Sequence, residues 1–331
     1  MMQQRKVWID WAKVLGMLAI IYGHCFPEGM SNFIYAFNVP VFFLISGYLC
    51  RGGEDSFGIC RNKILHNLLI PYLILAFIKA AGPIFKHIGD GEWIWSVLAI
   101  LGGFHSLNNA PECSNLWFVY TLIIIKIVYQ LANKRVNFLL VLFCFLGAWV
   151  YNDVLHLEWQ WAMSNCLLAY PFFWLGNILA QRGLIDSVCA FMTRRKGKSL
   201  LLVFFLFVVT YWISNLNGQV KMYMNLYADN ILLFVLAALL GCGAVLGLTF
   251  LLNEKKYKFA KVISSGTILI LVFHRELLHP LLKAIGKCTF DVWTSGILVF
   301  LSAVLVLVAF YPLILIAKRF FPIILGRKSI K

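Results

Sequence analysis

A chain of 331 residues, 61% of them hydrophobic and only 13% charged, with a mean hydropathy of +0.82, is far too apolar for a soluble domain. Its formal net charge of +15 has no solvated basic domain to sit on, so it reads as membrane topology and attraction to anionic headgroups, with no nucleic acid as partner. The nine cysteines are scattered, with no CxxC pair and no metal-ligand spacing, which leaves out a disulfide framework and a metal site.

Apolar runs long enough to cross a bilayer recur between short polar loops, predicting an all-α polytopic membrane bundle and not a barrel. In chain order the predicted helices cover residues 12–28, 33–50, 64–82, 93–104, 115–132, 137–152, 161–181, 199–215, 231–252, 264–282 and 293–316. The fourth, "WIWSVLAILGGF", is too short to span and reads as re-entrant or interfacial, leaving about ten transmembrane helices. The first is read as a retained helix and not a signal peptide, because Asp10 and Lys13 interrupt its apolar run and no small-residue cleavage site follows. With no soluble domain, low-complexity linker or internal repeat, residues 1–331 are expected to form a single membrane domain.

Lysines and arginines then set the orientation. Arg5, Lys6, Arg51, Arg61, Lys63, Lys134, Arg135, Arg182, "RRKGK" (Arg194 to Lys198), "EKKYKFAK" (Glu254 to Lys261) and the tail from Lys318 fall on one side. The other side has Lys79, Lys86, Lys221, Lys283 and Lys287, with most of the acids: Glu28, Asp90, Glu92, Glu112, Asp153, Glu158, Asp229 and Asp291. The positive-inside rule puts both termini in the cytoplasm of a multi-pass protein of the plasma (inner) membrane. The outer excursions carry Trp93, Trp95, Trp159 and Trp161, either as interfacial anchors or as a stacking surface for a sugar ring.

Chemistry concentrates in the first helix, "WIDWAKVLGMLAIIYGHCF" (Trp8 to Phe26). Lys13 and His24 are eleven residues apart, which places them within about 20° of one face and about 16 Å apart along the axis. Asp10 sits one turn before Lys13. Each ionisable group in hydrocarbon costs a few kcal/mol, so the stripe must face the bundle interior or a wet cavity. The bland alternative pairs Asp10 with Lys13 at the interface and leaves His24 as a satisfied interior histidine. The functional alternative uses a cation near the cytoplasmic face to meet an anionic carrier, and an imidazole farther out to move a proton. The extended arm of coenzyme A is on the order of that length, with its phosphates near Lys13 and its thioester near His24.

Asp10, Lys13 and His24 together resemble the first-helix signature of the membrane-bound acyltransferase 3 family, whose members transfer acetyl or other acyl groups to glycans. "FNVPVFFLISGYL" (Phe37 to Leu49) is similar to that family's apolar run ending in Ser-Gly-Tyr. "RNKILHNLLIPYL" (Arg61 to Leu73) resembles its basic cluster ahead of a proline, and "LWFVYTL" (Leu116 to Leu122) its later Trp-containing helix start. The resemblance implies an O-acyltransferase taking acyl groups from cytoplasmic acyl-CoA, with acetyl-CoA the expected donor and a glycan hydroxyl the acceptor. It implies His24 as general base and Lys13, Arg61 and Lys63 as acyl-CoA contacts; Asp10, which precedes Lys13 in the signature, is counted with His24 and Arg275 among the catalytic candidates. Here Arg61, Lys63 and His66 precede Pro71, where many relatives have two arginines closer to the proline. Asn38, Trp117 and His274 are the candidate acceptor contacts.

In "LVFHRELLHP" (Leu271 to Pro280), Arg275 lies inside a predicted span, either in a buried ion pair with an acid such as Glu276 or stabilising the thioester oxyanion. Ser46 reads more readily as close helix packing than as a nucleophile, and Cys25 diverges by about 100° from His24 on the helix. Lys126 is expected to snorkel, and "GCGAVLG" (Gly241 to Gly247) to pack helices closely. The rival from another class is a transporter or flippase for a glycan precursor, with Lys13, His24 and Arg275 lining its pathway.

Overall fold

The structure, a computed structural model, describes residues 5–27, 29–50, 57–105, 116–156, 161–253, 257–286 and 292–326. Glu28, Arg51, Glu112, Glu158, Trp159, Lys287, Asp291, the first three residues of Glu254–Lys261 and the tail beyond residue 326 lie outside them.

The described residues are helical throughout and contain no strand, only isolated bridges at Phe104–Trp161 and Lys221–Leu226. In chain order the helices are α1 (Val7–Gly23), α2 (Ser31–Phe37), α3 (Pro40–Tyr48), α4 (Phe57–Ile64), α5 (Ile70–Lys86), α6 (Trp93–Gly102), α7 (Trp117–Leu131), α8 (Lys134–Trp149), α9 (Cys166–Gln181), α10 (Leu184–Arg194), α11 (Lys196–Asn217), α12 (Ile231–Leu251), α13 (Lys258–Ser264), α14 (Thr267–Ile285) and α15 (Val292–Phe320). A π-turn at Leu65–Leu69 joins α4 to α5, and another at Val150–Val154 extends α8.

Among the described residues, five helical stretches are long and apolar enough to cross a membrane: Arg61–Lys86, Lys134–Val154, Lys196–Asn217, Ile231–Leu251 and Thr294–Phe320. Their outward faces are apolar too; α11 exposes Leu200, Leu201, Phe204, Phe205 and Trp212, side chains that water would not tolerate in such a row. α6, α7 and α9 are shorter apolar helices.

Two departures from the sequence expectation have local causes. The predicted helix 33–50 is broken at Asn38 and Val39, since Pro40 starts α3 and disfavours helical geometry in the residue before it. The loops also hold α10 and α13, whose short amphipathic patterns vanish in a window long enough to detect a span. In α10, Ile185, Cys189 and Met192 are buried while Leu184, Val188 and Phe191 are exposed.

The chain forms two compact units. The first comprises Met1–Ile45, Ile178–Val220 and Ala228–Leu315. Its core includes Trp8, Ala12, Met17 and Ile21 of α1, and Trp8 meets Phe250 of α12 edge-on at 5.4 Å. The unpaired first turn of α1 is satisfied from that direction, since the Trp8 amide donates to Asn253 Oδ1 at 3.1 Å. Close packing follows the small residues: a Cβ at Gly16 would lie 2.7 Å from the Phe42 ring, and one at Gly241 would lie 2.6 Å from Phe37. Gly247 is pressed in the same way on Val203 and Met192, so "GCGAVLG" is a packing face.

The second unit comprises Ser46–Asn177, Lys221–Tyr227 and Ile316–Lys331. Short α6 ends within it because its last carbonyls find side-chain donors. Tyr72 donates to Ile100 O at 2.7 Å, Tyr120 to Leu101 O at 3.0 Å and Trp161 Nε1 to Gly102 O at 2.9 Å. Gly103 then turns the chain with φ of +71°. At Gly47 the backbone of α3 runs against that of α9: a Cβ there would be 1.8 Å from Phe173 O. The end of α3 is held by Asn177, which donates to the carbonyls of Gly47 and Cys50 and accepts from Tyr129 OH at 2.6 Å.

Candidate active site

Within the first unit, α1 runs unbroken from Val7 to Gly23, and His24 itself has helical backbone angles (φ −75°, ψ −3°). The expected stripe of Asp10, Lys13 and His24 is therefore carried on one continuous helix. Asp10, only 8% exposed, receives Arg5 in a two-pronged pair, Nε to Oδ2 at 2.7 Å and Nη2 to Oδ1 at 2.6 Å. That hydrogen-bonded carboxylate holds the Arg5 guanidinium above its ordinary value, against the opposing cost of burial. Asp10 thus pairs with Arg5, and the pair sits at the opposite end of α1 from His24. Lys13 is half-buried.

At the far end, the missing Cβ of Gly23 lets α2 rest on the helix terminus. A Cβ at that position would lie 3.2 Å from Ile34 Cγ2, 3.4 Å from Asn38 Nδ2 and 3.7 Å from Tyr35 Cζ. Tyr35 OH donates to Gly23 O at 3.1 Å and lies 3.4 Å from His24 Nδ1. Asn38, at the C-terminus of α2, is 3% exposed, and its Oδ1 is buried without a hydrogen-bond partner among the described residues. A buried acceptor left in that state is costly unless a ligand or water supplies the donor.

His274 closes the other side. It is fully buried on the α14 stripe that also carries Ile270 and Leu278, and its ring stacks on that of His24 with centroids 4.8 Å apart and planes 14° from parallel. His274 Nδ1 lies 2.9 Å from Ile270 O and 3.0 Å from Leu271 O. Carbonyl oxygens only accept, so Nδ1 carries the hydrogen. Residue 275 is turned about 100° from residue 274 on this helix. Arg275 is half-buried, while Glu276 and His279 are exposed. The Cys25 thiol donates to Ile21 O at 3.5 Å and Val299 O at 3.8 Å, a geometry that engages it with backbone.

Sequence reasoning set Asn38 near His24 and singled out His274 on its own, and the structure brings all three to the end of α1. It missed Tyr35. That residue lies one turn before Asn38, so the helix face that drew attention to Asn38 carried Tyr35 as well.

The remaining candidates belong to the second unit. Arg61 and Lys63 are exposed on α4, just before the π-turn that contains His66. Trp117 starts α7, 8% exposed, and meets His105 edge-on at 5.8 Å. His105 is 1% exposed, neither of its ring nitrogens has a partner among the described residues, and burial pushes its pKa down to about 4. Lys126 lies over the Phe173 ring at 5.6 Å. Trp93 and Trp95 are exposed, as anchors would be, whereas Trp161 is tied to Gly102 and stacks on Phe104 at 5.5 Å. No cluster of three or more metal-ligating side chains occurs among the described residues.

A family model described as an acyltransferase domain, acyltransferase 3, matches residues 6–316. Neither the curated proteins nor the solved structures include a significant match to the chain.

Proposed function

From the premise that the chain belongs to the acyltransferase 3 family, and is therefore a membrane acyltransferase, we propose that it moves an acyl group from acyl-CoA to a hydroxyl of a glycan, with His24 as general base. The observation that carries the proposal is the construction at the end of α1. A titratable ring is stacked against a second imidazole and touched by Tyr35, beside a buried acceptor atom on Asn38 that has no donor among the described residues.

In this mechanism Asn38 Oδ1 accepts a hydrogen bond from the acceptor sugar, and His24 takes the proton of the attacking hydroxyl as its oxygen adds to the thioester carbonyl. The tetrahedral intermediate collapses with cleavage of the carbon–sulfur bond, and the proton passes from His24 to the departing CoA thiolate, giving ester and free thiol. No group is left over and no covalent enzyme intermediate is required. Within the first unit, Arg275 is proposed for the oxyanion, His274 for the acceptor side and Lys13 for the phosphates of the donor. Acetyl is the proposed acyl group.

For topology we propose about ten spans, both termini cytoplasmic, in the plasma membrane, with residues 1–331 acting as one acyltransferase domain. Support comes from the five long apolar helices together with α1, α7 and α9, at 17, 15 and 16 residues, and from α14 and the broken pair α2–α3. Helices of that length reach about 22–26 Å, enough for a thinned or tilted segment of a bundle.

The test is transfer of label from radioactive acetyl-CoA into the glycan fraction of membranes that contain the protein, beside membranes that lack it. Label in glycan only when the protein is present supports donor and acceptor class together. Label that stays in acetyl-CoA in both preparations overturns the acetyl–glycan assignment.

A further inference from the structure

The hydrogen-bond directions around His24 carry one step more. The Tyr35 hydroxyl has a single hydrogen, and Gly23 O, 3.1 Å away, can only accept it. With that hydrogen committed, the Tyr35 oxygen faces His24 Nδ1 at 3.4 Å as an acceptor, so the matching imidazole form has hydrogen on Nδ1 and the lone pair on Nε2. The distance is long for a hydrogen bond, as contacts of this kind are before substrate tightens the site. From the other side, the nearly parallel ring of His274 restricts rotation of the imidazole out of its plane.

We propose that Tyr35 is a positioning residue that fixes the tautomer of His24, so that Nε2 is the atom that removes the acceptor's proton. This rests on His24 being the general base. The chain runs from Gly23 C=O to Tyr35 O–H to His24 Nδ1–H, its direction set at the carbonyl, which can only accept. When Nε2 gains the proton, the imidazolium keeps its Nδ1–H on Tyr35, and that contact strengthens because the donor is now charged. Gly23 also leaves room for α2, since a Cβ there would crowd Ile34 Cγ2, the neighbour of Tyr35, at 3.2 Å.

Tyr35→Phe removes the hydroxyl and keeps the ring, so packing on Gly23 is preserved. The protein, labelled with 15N-histidine in detergent, is examined by NMR, with the His24 resonances assigned by their loss in His24→Gln. Turnover is measured in parallel with labelled acetyl-CoA and the glycan fraction. The wild type is expected to show His24 as the Nδ1–H form, and Tyr35→Phe a mixture of both tautomers. The variant's kcat should fall between about 3- and 10-fold, the worth of one neutral hydrogen bond, with KM for donor and acceptor within about 2-fold of wild type. An Nδ1–H form that survives unchanged in Tyr35→Phe, or a wild-type ring found with hydrogen on Nε2, overturns the proposal. The two readings fail separately: undiminished transfer by His24→Gln removes His24 as the base, while the tautomer spectrum still decides what Tyr35 does to the ring.

Discussion

Replacing Gly47 by alanine tests how the Ser-Gly-Tyr segment works in the second unit. The added Cβ would stand 1.8 Å from Phe173 O, 2.7 Å from Phe173 C and 3.0 Å from its Cα, all backbone atoms that no rotamer can move aside. A carbon–oxygen contact needs roughly 3.3 Å, so α3 and α9 must part by more than about 1 Å. Overpacking of this kind costs about 1–3 kcal/mol. Separation also pulls Asn177 from the Gly47 and Cys50 carbonyls, at about 1 kcal/mol for each bond lost. The sum, about 3–5 kcal/mol, corresponds to a melting temperature lower by on the order of 10 °C. Thermal unfolding of purified Gly47→Ala in detergent, followed by size-exclusion chromatography of the surviving protein, measures it. A midpoint within about 2 °C of wild type would refute the backbone-to-backbone packing of α3 on α9. Ser46→Ala, one residue earlier, adds no atom and provides the comparison.

Two further perturbations separate the units. His105 lies in the loop after α6, and its burial depresses the folded-state pKa to about 4, below the ordinary 6.5. The unfolded chain therefore binds the proton first as pH falls, so stability is fully present above pH about 6.5 and is lost progressively towards pH about 4, by up to about 3 kcal/mol. Unfolding midpoints of wild type and His105→Phe between pH 7 and pH 4.5 check this, since the variant should lose that part of the dependence; parallel curves would contradict it. In the first unit, Gly23→Ala places a methyl 3.2 Å from the Ile34 side chain and 3.4 Å from that of Asn38, so Ile34 must give by a few tenths of an ångström and Asn38 is crowded. Transfer should fall about 3- to 10-fold, with Gly47→Ala-like unfolding absent, because a small misplacement of positioning groups costs rate before it costs fold. Unaltered turnover would show that the approach of α2 is irrelevant to the chemistry.

The end of α1 shows what was legible in sequence. The spacing of Lys13 and His24 needed only helical periodicity, and the helix is there to carry it. Pro40 announced the break after Asn38, yet the surrounding apolar run "FNVPVFFLISGYL" concealed it, because hydropathy sees composition and not φ. The stacking of His24 on His274 joins residues from opposite ends of the chain, and no local pattern encodes a contact of that kind. The Arg5–Asp10 pair was illegible for a similar reason: Arg5 reaches Asp10 from outside the helix, where periodicity does not apply. His105 passed unnoticed in a polar excursion, since burial of a loop residue depends on aromatic neighbours, Trp117 and Tyr223, that come from distant segments.

The central claim is that His24 performs the proton transfer, and it is tested most directly by the initial rate of acyl transfer for wild type and His24→Ala, matched for abundance and for monodispersity in detergent. General-base catalysis contributes about 10²–10⁴-fold, so the variant should retain at most about 1% of the wild-type rate while eluting and melting like a folded protein. A folded His24→Ala that transfers within about 3-fold of wild type would contradict the account.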